Sequence, residues 1–242
     1  MPIPEKPCGR FSANLRASDV APELVLDELH VYAQSEPLSA SMNMAVDEAL
    51  FEAANSPTLR FYGWRQPSLS FGYFGRYADA LLEADEREMV RRWTGGGIVL
   101  HGTDLTYSFM LPTAHLGGGR SSRVVYAFVH GAIEQALSAV ARVALAAADA
   151  PKVSDACFAN PVVADVLVDG RKIAGAAQRR TRAGLLHQGS IQYDALPIDF
   201  ADVFAATLCP HFERRALNDE LLGRATRIAA EKYATDEWLQ RR

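Results

Sequence analysis

The amino-acid sequence predicts one α/β domain, a mixed β-sheet flanked by helices, preceded by an irregular arm. Segments with strand periodicity and segments with helical periodicity follow one another in blocks, without the regular strand–helix alternation of a doubly wound sheet. The 242 residues, 49% of them hydrophobic, are enough to bury a sizeable core. We expect the arm over residues 1–25, where prolines and charges are scattered, and a single domain over residues 26–242.

Residue periodicity predicts five elements in the first part of this domain. Ser39 is a good N-cap for a helix whose apolar residues recur at helical spacing. Pro67 lies in a turn between two short apolar runs, which are therefore expected to be separate strands. The expected strands are 25–32, 58–62 and 68–71, and the expected helices are 40–54 and 78–87.

The remainder of the chain predicts further strands and a helical tail. Alternate residues from Leu105 to Leu111 are apolar, as in a half-buried strand, and Ser121 or Ser122 is expected to cap a long helix. Loops are expected at 112–120, which is rich in glycine, and at 179–184. The expected strands are one that ends at Trp93, then 98–100, 104–111, 162–168, 171–178 and 185–193. The expected helices are 122–147 and several after residue 200, of which 217–233 has the strongest helical pattern.

Composition and charge argue against several classes of protein. A formal net charge of −4 gives no indication of a nucleic-acid partner. The cysteines Cys8, Cys157 and Cys209 lie far apart, so we expect free thiols in a reducing compartment and neither a disulfide framework nor a zinc site. No apolar run has the length of a signal-peptide core at the N-terminus or of a membrane span anywhere. We therefore expect a cytoplasmic protein with no bound metal and no membrane partner.

A run of three glycines after two arginines is the first motif with chemical content. It reads Arg91-Arg92-Trp93-Thr94-Gly95-Gly96-Gly97-Ile98-Val99-Leu100-His101. Successive glycines are costly in conformational entropy, and they suit a backbone that approaches a ligand closely and offers its N–H groups to an anion. The arginines would then hold a phosphate or a carboxylate. The alternative is a tight β-turn with the arginines on a solvated face.

A second motif surrounds Lys172. It reads Asp165-Val166-Leu167-Val168-Asp169-Gly170-Arg171-Lys172-Ile173-Ala174-Gly175-Ala176-Ala177-Gln178, and its Asp-Gly pair predicts a hairpin turn. The small residues that follow the lysine leave room for a chain-like ligand beside the strand. A lysine there would donate to a carbonyl or phosphate oxygen. The alternative is a surface lysine on an edge strand.

Three further residues are candidates for the site. His187 and Gln188 interrupt the apolar strand Leu185-Leu186-His187-Gln188-Gly189-Ser190-Ile191, and a buried histidine is more often a hydrogen-bonded structural residue than a catalyst. Cys157 precedes Lys172 by 15 residues, so two strands and a loop would bring the pair together. A lone cysteine is otherwise a small buried hydrophobic residue.

Taken together, these segments resemble the family of lipoate-protein ligases and octanoyltransferases, which is similar in turn to biotin protein ligases. Five motifs in order, over roughly residues 40–195, carry the resemblance: Asn43-Met44-Ala45-Val46-Asp47-Glu48-Ala49, the Arg91 to His101 run, Asp104-Leu105-Thr106-Tyr107-Ser108, Gly170-Arg171-Lys172-Ile173-Ala174-Gly175 and His187-Gln188-Gly189-Ser190.

The resemblance implies a fold similar to the catalytic domain of class II aminoacyl-tRNA synthetases and biotin synthetases, with residues 26–242 as the catalytic domain. It also implies an acyl tunnel between the glycine run and the Lys172 strand, in which the lysine contacts the acyl carbonyl. The implied catalytic residues are Lys172 and Cys157. The implied substrate-binding residues are Arg92, Thr94, Gly95, Gly96, Gly97, Ile98, Val99, Leu100, His101, Gly175, Ala176, Ala177, His187 and Gly189.

Two mechanisms are known for this family. A transferase takes octanoyl from acyl carrier protein through a cysteine thioester and needs no cofactor, whereas a ligase uses ATP and Mg²⁺ to form a lipoyl-adenylate. Cys157-Phe158 and Ala176-Ala177-Gln178-Arg179 resemble one class of octanoyltransferase, and the chain length leaves no room for the accessory domain of two-domain ligases. Gly97 resembles the ligases instead, because an arginine commonly follows two glycines in that transferase class.

We therefore expect an acyltransferase that moves octanoyl from acyl carrier protein, through a Cys157 thioester, to a lysine of a lipoyl domain or of an H-type carrier of glycine cleavage. An ATP-dependent lipoate-protein ligase is the main alternative, and a non-catalytic acyl-binding protein is a third. Arg179, Arg180 and Arg182 form a basic cluster that is either a docking surface for an acidic carrier protein or a solvated hairpin tip.

Overall fold

The computed structural model describes residues 24–117, 121–150 and 160–241 of the chain. The strands in this part of the chain are β1 Leu29–Ala33, β2 Thr58–Tyr62, β3 Ser68–Phe71, β4 Glu88–Arg91, β5 Val99–His101, β6 Leu105–Pro112, β7 Val143–Leu145, β8 Val166–Val168, β9 Arg171–Arg180, β10 Gly184–Ile191 and β11 Phe212–Arg215. The α-helices are α1 Ala40–Ala53, α2 Tyr77–Ala84, α3 Ser122–Leu137, α4 Phe200–Leu208, α5 Asp219–Ile228 and α6 Asp236–Gln240. A 3₁₀ turn covers Thr113–His115, and a π-helical turn covers Ala229–Tyr233.

The strands form one large and one small mixed sheet. The large sheet has eight strands in the order β11-β1-β2-β6-β10-β9-β8-β7, and the small one has three in the order β4-β3-β5. β1 is parallel to β2 and β11, β3 is parallel to β4, and every other pair is antiparallel. The predicted class, a mixed sheet flanked by helices, is confirmed.

Helices cover both faces of the large sheet. α3 and α4 pack together over one face and share a core with β6, β9 and β10. α1 and α5 pack together over the opposite face, and their core includes Met110 and Leu186 of the sheet. Because successive residues of a strand point to opposite faces, β9 and β10 present different side chains to these two layers.

The register between β9 and β10 decides which residues meet. Ala177 lies opposite Gln188, and Gly175 lies opposite Ser190. These four residues share one face, and the loop that joins β4 to β5 of the small sheet contacts that face, since a Cβ on Gly96 would lie 3.1 Å from the Cβ of Ala177. The small residue at 177 therefore allows this loop to approach β9 closely.

Local sequence signals account for several boundaries. The Ser39 side chain accepts a hydrogen bond from the Met42 N–H, as expected for the N-cap of α1. The predicted Asp169-Gly170 turn joins β8 to β9, with Val168 paired to Arg171. The strands expected at 58–62 and 68–71 have those bounds in the structure.

Two expectations about the fold were wrong. The helix expected to run to residue 147 ends at Leu137, and β7 follows it, because Val143 and Leu145 pair with β8 and so gain contacts that the Ala-rich sequence does not reveal. Strand β11 was not expected, since three of its four residues are charged. It adds to the edge of the sheet beside β1 through backbone pairing, with Phe212 opposite Leu29.

The described residues contain no helix that is both long and apolar enough to cross a membrane.

A buried ion pair ties α1 to the large sheet. Arg60 Nη1 of β2 lies 2.6 Å from Asp47 Oδ1 of α1, and both side chains are almost completely buried. Arg60 also donates to the Asn43 carbonyl and side-chain oxygens. The ion pair therefore fixes α1, which carries the first of the five motifs, against the sheet.

We predict that Arg60→Met lowers the free energy of unfolding by about 3–5 kcal/mol, because it leaves the buried Asp47 carboxylate without its counter-ion. Urea denaturation measures the change. The matched control is Arg224→Met, which breaks the exposed pair with Glu52 and should cost no more than about 1 kcal/mol. Equal stability losses in the two variants would contradict this role of the buried pair.

Candidate active site

A narrow cavity lies between the large sheet and the small sheet. Its volume is about 30 Å³. β6, β9 and β10 form one wall, and β3, β5 and the start of the glycine run form the other. The lining residues are Trp64, Ser70, Arg92, Val99, His101, Thr106, Gly175, Ala176, Ala177, Gln188, Gly189 and Ser190. Seven of the fourteen residues expected to bind substrate therefore meet at one place, although they come from segments far apart in sequence.

Lys172 lies where this narrow cavity meets a larger, open one. The open cavity has a volume of about 510 Å³, and Lys172 lines it together with Gly96, Gly97 and Ile98. A Cβ on Gly175 would lie 2.7 Å from Lys172 Nζ, so the ammonium covers a residue that itself lines the narrow cavity. A chain inserted into the narrow cavity would thus place its polar end beside Lys172.

The Lys172 ammonium forms a buried ion pair. Its Nζ lies 2.8 Å from Asp165 Oδ2, and the two side chains are 3% and 0% exposed. The alternative of a solvated surface lysine is therefore wrong for this residue.

The glycine loop, residues 94–97, is fixed at both ends by hydrogen bonds. The Tyr73 N–H donates to the Thr94 carbonyl at 2.8 Å. Arg92 Nη2 donates to the carbonyls of Gly95 and Gly97 at 3.1 and 2.8 Å, and its Nη1 donates to Ser70. Through these contacts Arg92 holds the loop in its conformation. The sequence suggested that Arg92 would contact a ligand.

Gly96 is the point of closest approach between the loop and β9. Its φ of +86° lies in the left-handed region that favours glycine. A Cβ there would also lie 3.1 Å from the Ala177 Cβ and 3.3 Å from Arg92 Nη2. Gly95, by contrast, has open space in the direction of a Cβ. The loop therefore needs glycine at 96 for a structural reason that does not apply at 95.

Asp47 organises the loop from the opposite side, which the sequence motifs did not reveal. Gln188 Nε2 donates to Asp47 Oδ2 at 2.7 Å, and Thr94 Oγ1 donates to Gln188 Oε1 at 2.8 Å. The hydroxyls of Tyr62 and Ser108 also donate to Asp47 Oδ2. Thr94 is completely buried in this network, so it supports the first residue of the glycine loop.

His101 belongs to a polar network that lines the narrow cavity. Its Nε2 lies 2.6 Å from Ser70 Oγ, and its Nδ1 lies 2.8 Å from Asp104 Oδ2. Its ring stacks on Trp64 with centroids 4.0 Å apart. Burial lowers the pKa of His101 despite the neighbouring carboxylate, so the imidazole is neutral near pH 7. Burial alone would raise the pKa of Asp104, but hydrogen bonds, chiefly from His101 and Ser190, hold it below its usual value.

Seven of the expected substrate-binding residues do not line the narrow cavity, and two of these, His187 and Leu100, point away from it. His187 points to the opposite face of β10, where its ring nitrogens contact Tyr107 and Gln178, and burial holds its pKa well below the usual value. This placement agrees with the structural interpretation of His187. Leu100 is 42% exposed because it alternates with the buried Val99 and His101 along β5. Strand alternation therefore removes both residues from the wall of the cavity.

The basic residues near the site have distinct roles. Arg91 donates to backbone carbonyls of the C-terminal segment, at Trp238, Leu239 and Arg241, and of the turn after β3, at Tyr73 and Gly75. Arg179 lies within β9 and stacks on the rings of Tyr73 and Trp93, so it is not part of an exposed hairpin tip.

Cys157 lies outside the described residues. The described chain stops at Ala150 and resumes at Asn160, and both residues line the open cavity beside Lys172. The Ala150 N–H donates to the Pro161 carbonyl at 2.8 Å, which holds the two ends together.

Within the parts of the chain that the structure describes, no group of three or more His, Cys, Asp or Glu side chains is arranged to hold a metal ion.

We predict that Gly96→Ala weakens the binding of an octanoate analogue, because the added methyl group occupies the space between the loop and Ala177 where the alkyl chain would lie, and the positive φ becomes strained. Isothermal titration calorimetry measures the affinity. Gly95→Ala is the matched control in the same loop and should bind almost as tightly as the wild type. Equal affinities for the two variants would mean that the loop does not border the ligand.

Comparisons with known proteins agree with this geometry. The family model for the lipoyl protein ligase A/B catalytic domain matches residues 39–218. Octanoyltransferase LipM of Brevibacillus brevis is 32% identical over 87% of this chain and 98% of the relative. Octanoyltransferase LipM of Oceanobacillus iheyensis is 33% identical over 84% of this chain and 78% of the relative.

Solved structures share the fold at low sequence identity. A lipoate-protein ligase A bound with ATP matches with a TM-score of 0.72 and 18% identity, covering 88% of this chain and 98% of that chain. A lipoate protein ligase from T. acidophilum with bound lipoic acid matches with a TM-score of 0.70 and 20% identity, covering 88% and 99%. The matched family model and the relatives confirm the family that the five sequence motifs resemble: this chain belongs to the lipoyl protein ligase A/B catalytic domain family.

Proposed function

We propose that this protein is an octanoyltransferase that moves an octanoyl group from acyl carrier protein to a lysine of a lipoyl carrier domain. The observation that carries the proposal is the position of Lys172, buried where the narrow cavity opens into the larger one. The names of the relatives support the same activity, since both are octanoyltransferases.

The octanoyl chain lies between the glycine loop and β9. Gly175 and Ala177 offer little side-chain bulk on one wall, and Val99 lines the other. The cavity of about 30 Å³ is close to the size of one water molecule, so the chain enters only as the loop and β9 separate. Apolar contact with the walls then drives binding of the alkyl chain.

Lys172 binds the acyl carbonyl oxygen. Its ammonium donates a hydrogen bond to this oxygen and stabilises the negative charge that develops there during attack. Because the ammonium is buried, water screens this interaction little.

Cys157 is the nucleophile in this mechanism. Its thiolate attacks the carbonyl carbon of the donor thioester, and the carbon–sulfur bond to the carrier's thiol breaks, which leaves octanoyl on Cys157 and releases the carrier thiolate. The amine of the acceptor lysine then attacks the Cys157 thioester. An amide forms, the amine loses a proton, and the Cys157 thiolate leaves. The reaction needs no cofactor. Asn160 at the rim of the open cavity supports the placement of Cys157 within reach of Lys172.

The donor and acceptor approach through the open cavity. Its volume of about 510 Å³ admits a flexible arm, whereas the narrow cavity does not. The acceptor is a lipoyl domain or an H-type carrier of glycine cleavage, and the bi-partite lipoate protein ligase of Thermoplasma acidophilum, which has a similar fold, was studied with its E2 lipoyl domain.

An ATP-dependent lipoate-protein ligase is the second candidate function. Gly97 favours it, as does the presence of Arg76 and Lys172 in the lining of the open cavity, where two cations and the glycine loop suit a phosphate group. ATP and Mg²⁺ would supply activation of the acid in that case.

We predict that Lys172→Ala lowers the rate of octanoyl transfer by on the order of 10²–10³, the usual loss when one preorganised donor to an oxyanion is removed. The measurement is the initial rate of octanoylation of a purified lipoyl domain. The control is Arg171→Ala, which removes the exposed neighbouring cation and should leave the rate close to that of the wild type. Activity of Lys172→Ala above about a tenth of wild type would contradict the assignment, given the expected loss.

We also predict that incubation with octanoyl-acyl carrier protein leaves a covalent octanoyl adduct on the wild type, visible by intact-protein mass spectrometry and removed by hydroxylamine. Cys157→Ala should abolish both the adduct and transfer. The control is Cys209→Ala, which removes a buried thiol that donates a hydrogen bond to the Leu26 carbonyl. This variant should still form the adduct. If Cys157→Ala transfers octanoyl at a near wild-type rate, or if only lipoate with ATP modifies the lipoyl domain, the thioester mechanism is wrong and the ligase is the function.

A further inference from the structure

We propose that Asp165 and Tyr126 are positioning residues that hold the Lys172 ammonium over Gly175, at the entrance of the narrow cavity. The inference rests on the proposed function for its effect on catalysis, but the placement of the lysine can be measured independently.

Asp165 holds Lys172 directly. The carboxylate Oδ2 lies 2.8 Å from Lys172 Nζ, and the same oxygen accepts a hydrogen bond from the Val162 N–H at 2.7 Å. The Lys172 side chain is long and flexible, so a fixed partner is required to keep its ammonium in one place. A Cβ on Gly175 would lie 3.3 Å from Asp165 Oδ1 and 2.6 Å from Lys172 Cε, which shows that the pair lies against this strand position.

Tyr126 of α3 joins the carboxylate to the backbone of β9. Its hydroxyl donates to Asp165 Oδ1 at 2.6 Å and accepts a hydrogen bond from the Ala176 N–H at 3.1 Å. Burial and the Asp165 charge raise the pKa of Tyr126, so the hydroxyl keeps its proton and remains a donor. One hydroxyl therefore sets the distance between Asp165 and the strand that carries Lys172.

The backbone on either side of Asp165 is also fixed. Ala164 has a φ of +67°, a left-handed conformation that is strained for a residue other than glycine. His130 Nδ1 donates to the Ala164 carbonyl at 2.6 Å, and Ala146 pairs with Ala164 and Asp165 through backbone hydrogen bonds. Burial lowers the pKa of His130 to about 4, so the imidazole is neutral near pH 7. The strained Ala164, held in this way directly before Asp165, is consistent with a carboxylate that must keep a fixed position.

The contacts of Asp165 argue for positioning and against proton transfer from the acceptor amine. One oxygen accepts from Tyr126, and the other accepts from Lys172 and the Val162 N–H. The carboxylate is completely buried, so an incoming amine would first have to displace one of these donors. Its contribution therefore acts through Lys172.

The test combines a labelling rate with steady-state kinetics on the full chain. Limited acetylation with acetic anhydride, followed by peptide mass spectrometry, gives the relative reaction rate of Lys172. Asp165→Asn removes the charge at nearly constant shape, and Tyr126→Phe removes only the hydroxyl. The matched control is Tyr107→Phe, which removes another completely buried hydroxyl that contacts His187 on the same side of the sheet.

We expect both test variants to accelerate the acetylation of Lys172, since only the neutral amine attacks the anhydride and a side chain held less firmly by its carboxylate gives up its proton more readily, while Tyr107→Phe leaves the rate unchanged. We also expect the kcat of octanoyl transfer to fall by on the order of 10²-fold in Asp165→Asn, with a smaller change in KM, because a misplacement of about 1 Å is enough for such a loss. Tyr126→Phe should lower kcat in the same direction and by less.

Two outcomes would overturn the inference. The first is unchanged Lys172 acetylation in a folded Tyr126→Phe protein, even if Asp165→Asn fails to fold. The second is a kcat for both variants equal to that of Tyr107→Phe. If the wild type itself transfers no octanoyl, the proposed function fails, and the acetylation rates alone decide whether Asp165 and Tyr126 position Lys172.

Discussion

A buried ammonium is costly unless a carboxylate accompanies it, and the Lys172–Asp165 ion pair meets this constraint at the centre of the site. Several features of the surrounding structure follow from it. Residue 175 has no side chain, because the ammonium occupies the space where a Cβ would point. The Tyr126 hydroxyl donates a hydrogen bond to the other oxygen of the carboxylate and accepts one from the backbone of β9. A charge held in this way is available to a carbonyl oxygen without first being desolvated when substrate binds.

The glycine loop that faces this charge is supported from two sides. On one side, Asp47 orients Gln188, which in turn holds Thr94. On the other side, Arg92 donates to the carbonyls of Gly95 and Gly97. Many of the polar residues in the sequence motifs therefore form hydrogen bonds with the loop or with one another. The loop presents backbone to the cavity, and its supports keep that backbone at a fixed distance from β9.

The sequence was sufficient to predict the fold class, a mixed sheet flanked by helices, as well as most strands and the family. It also predicted that the glycine run lies beside the strand that carries Lys172. Those features depend on local periodicity, on turn residues such as Asp169-Gly170, and on ordered motifs. The roles of Asp47, Asp165 and Tyr126 were not predictable in this way, because they depend on side-chain contacts between different elements: 141 positions separate Gln188 from Asp47, and 39 separate Asp165 from Tyr126. The exclusion of Leu100 and His187 from the cavity depended on strand register, which a single sequence specifies poorly.

If Lys172 holds the acyl carbonyl at the entrance of a channel between the glycine loop and β9, a crystal structure of the protein with octanoate should show the ligand there. We expect a carboxylate oxygen of octanoate within about 2.7–3.2 Å of Lys172 Nζ, with the alkyl chain between the glycine loop and Gly175 and Ala177. An octanoate chain bound elsewhere, or a carboxylate that does not contact Lys172, would show that Lys172 does not hold the acyl group.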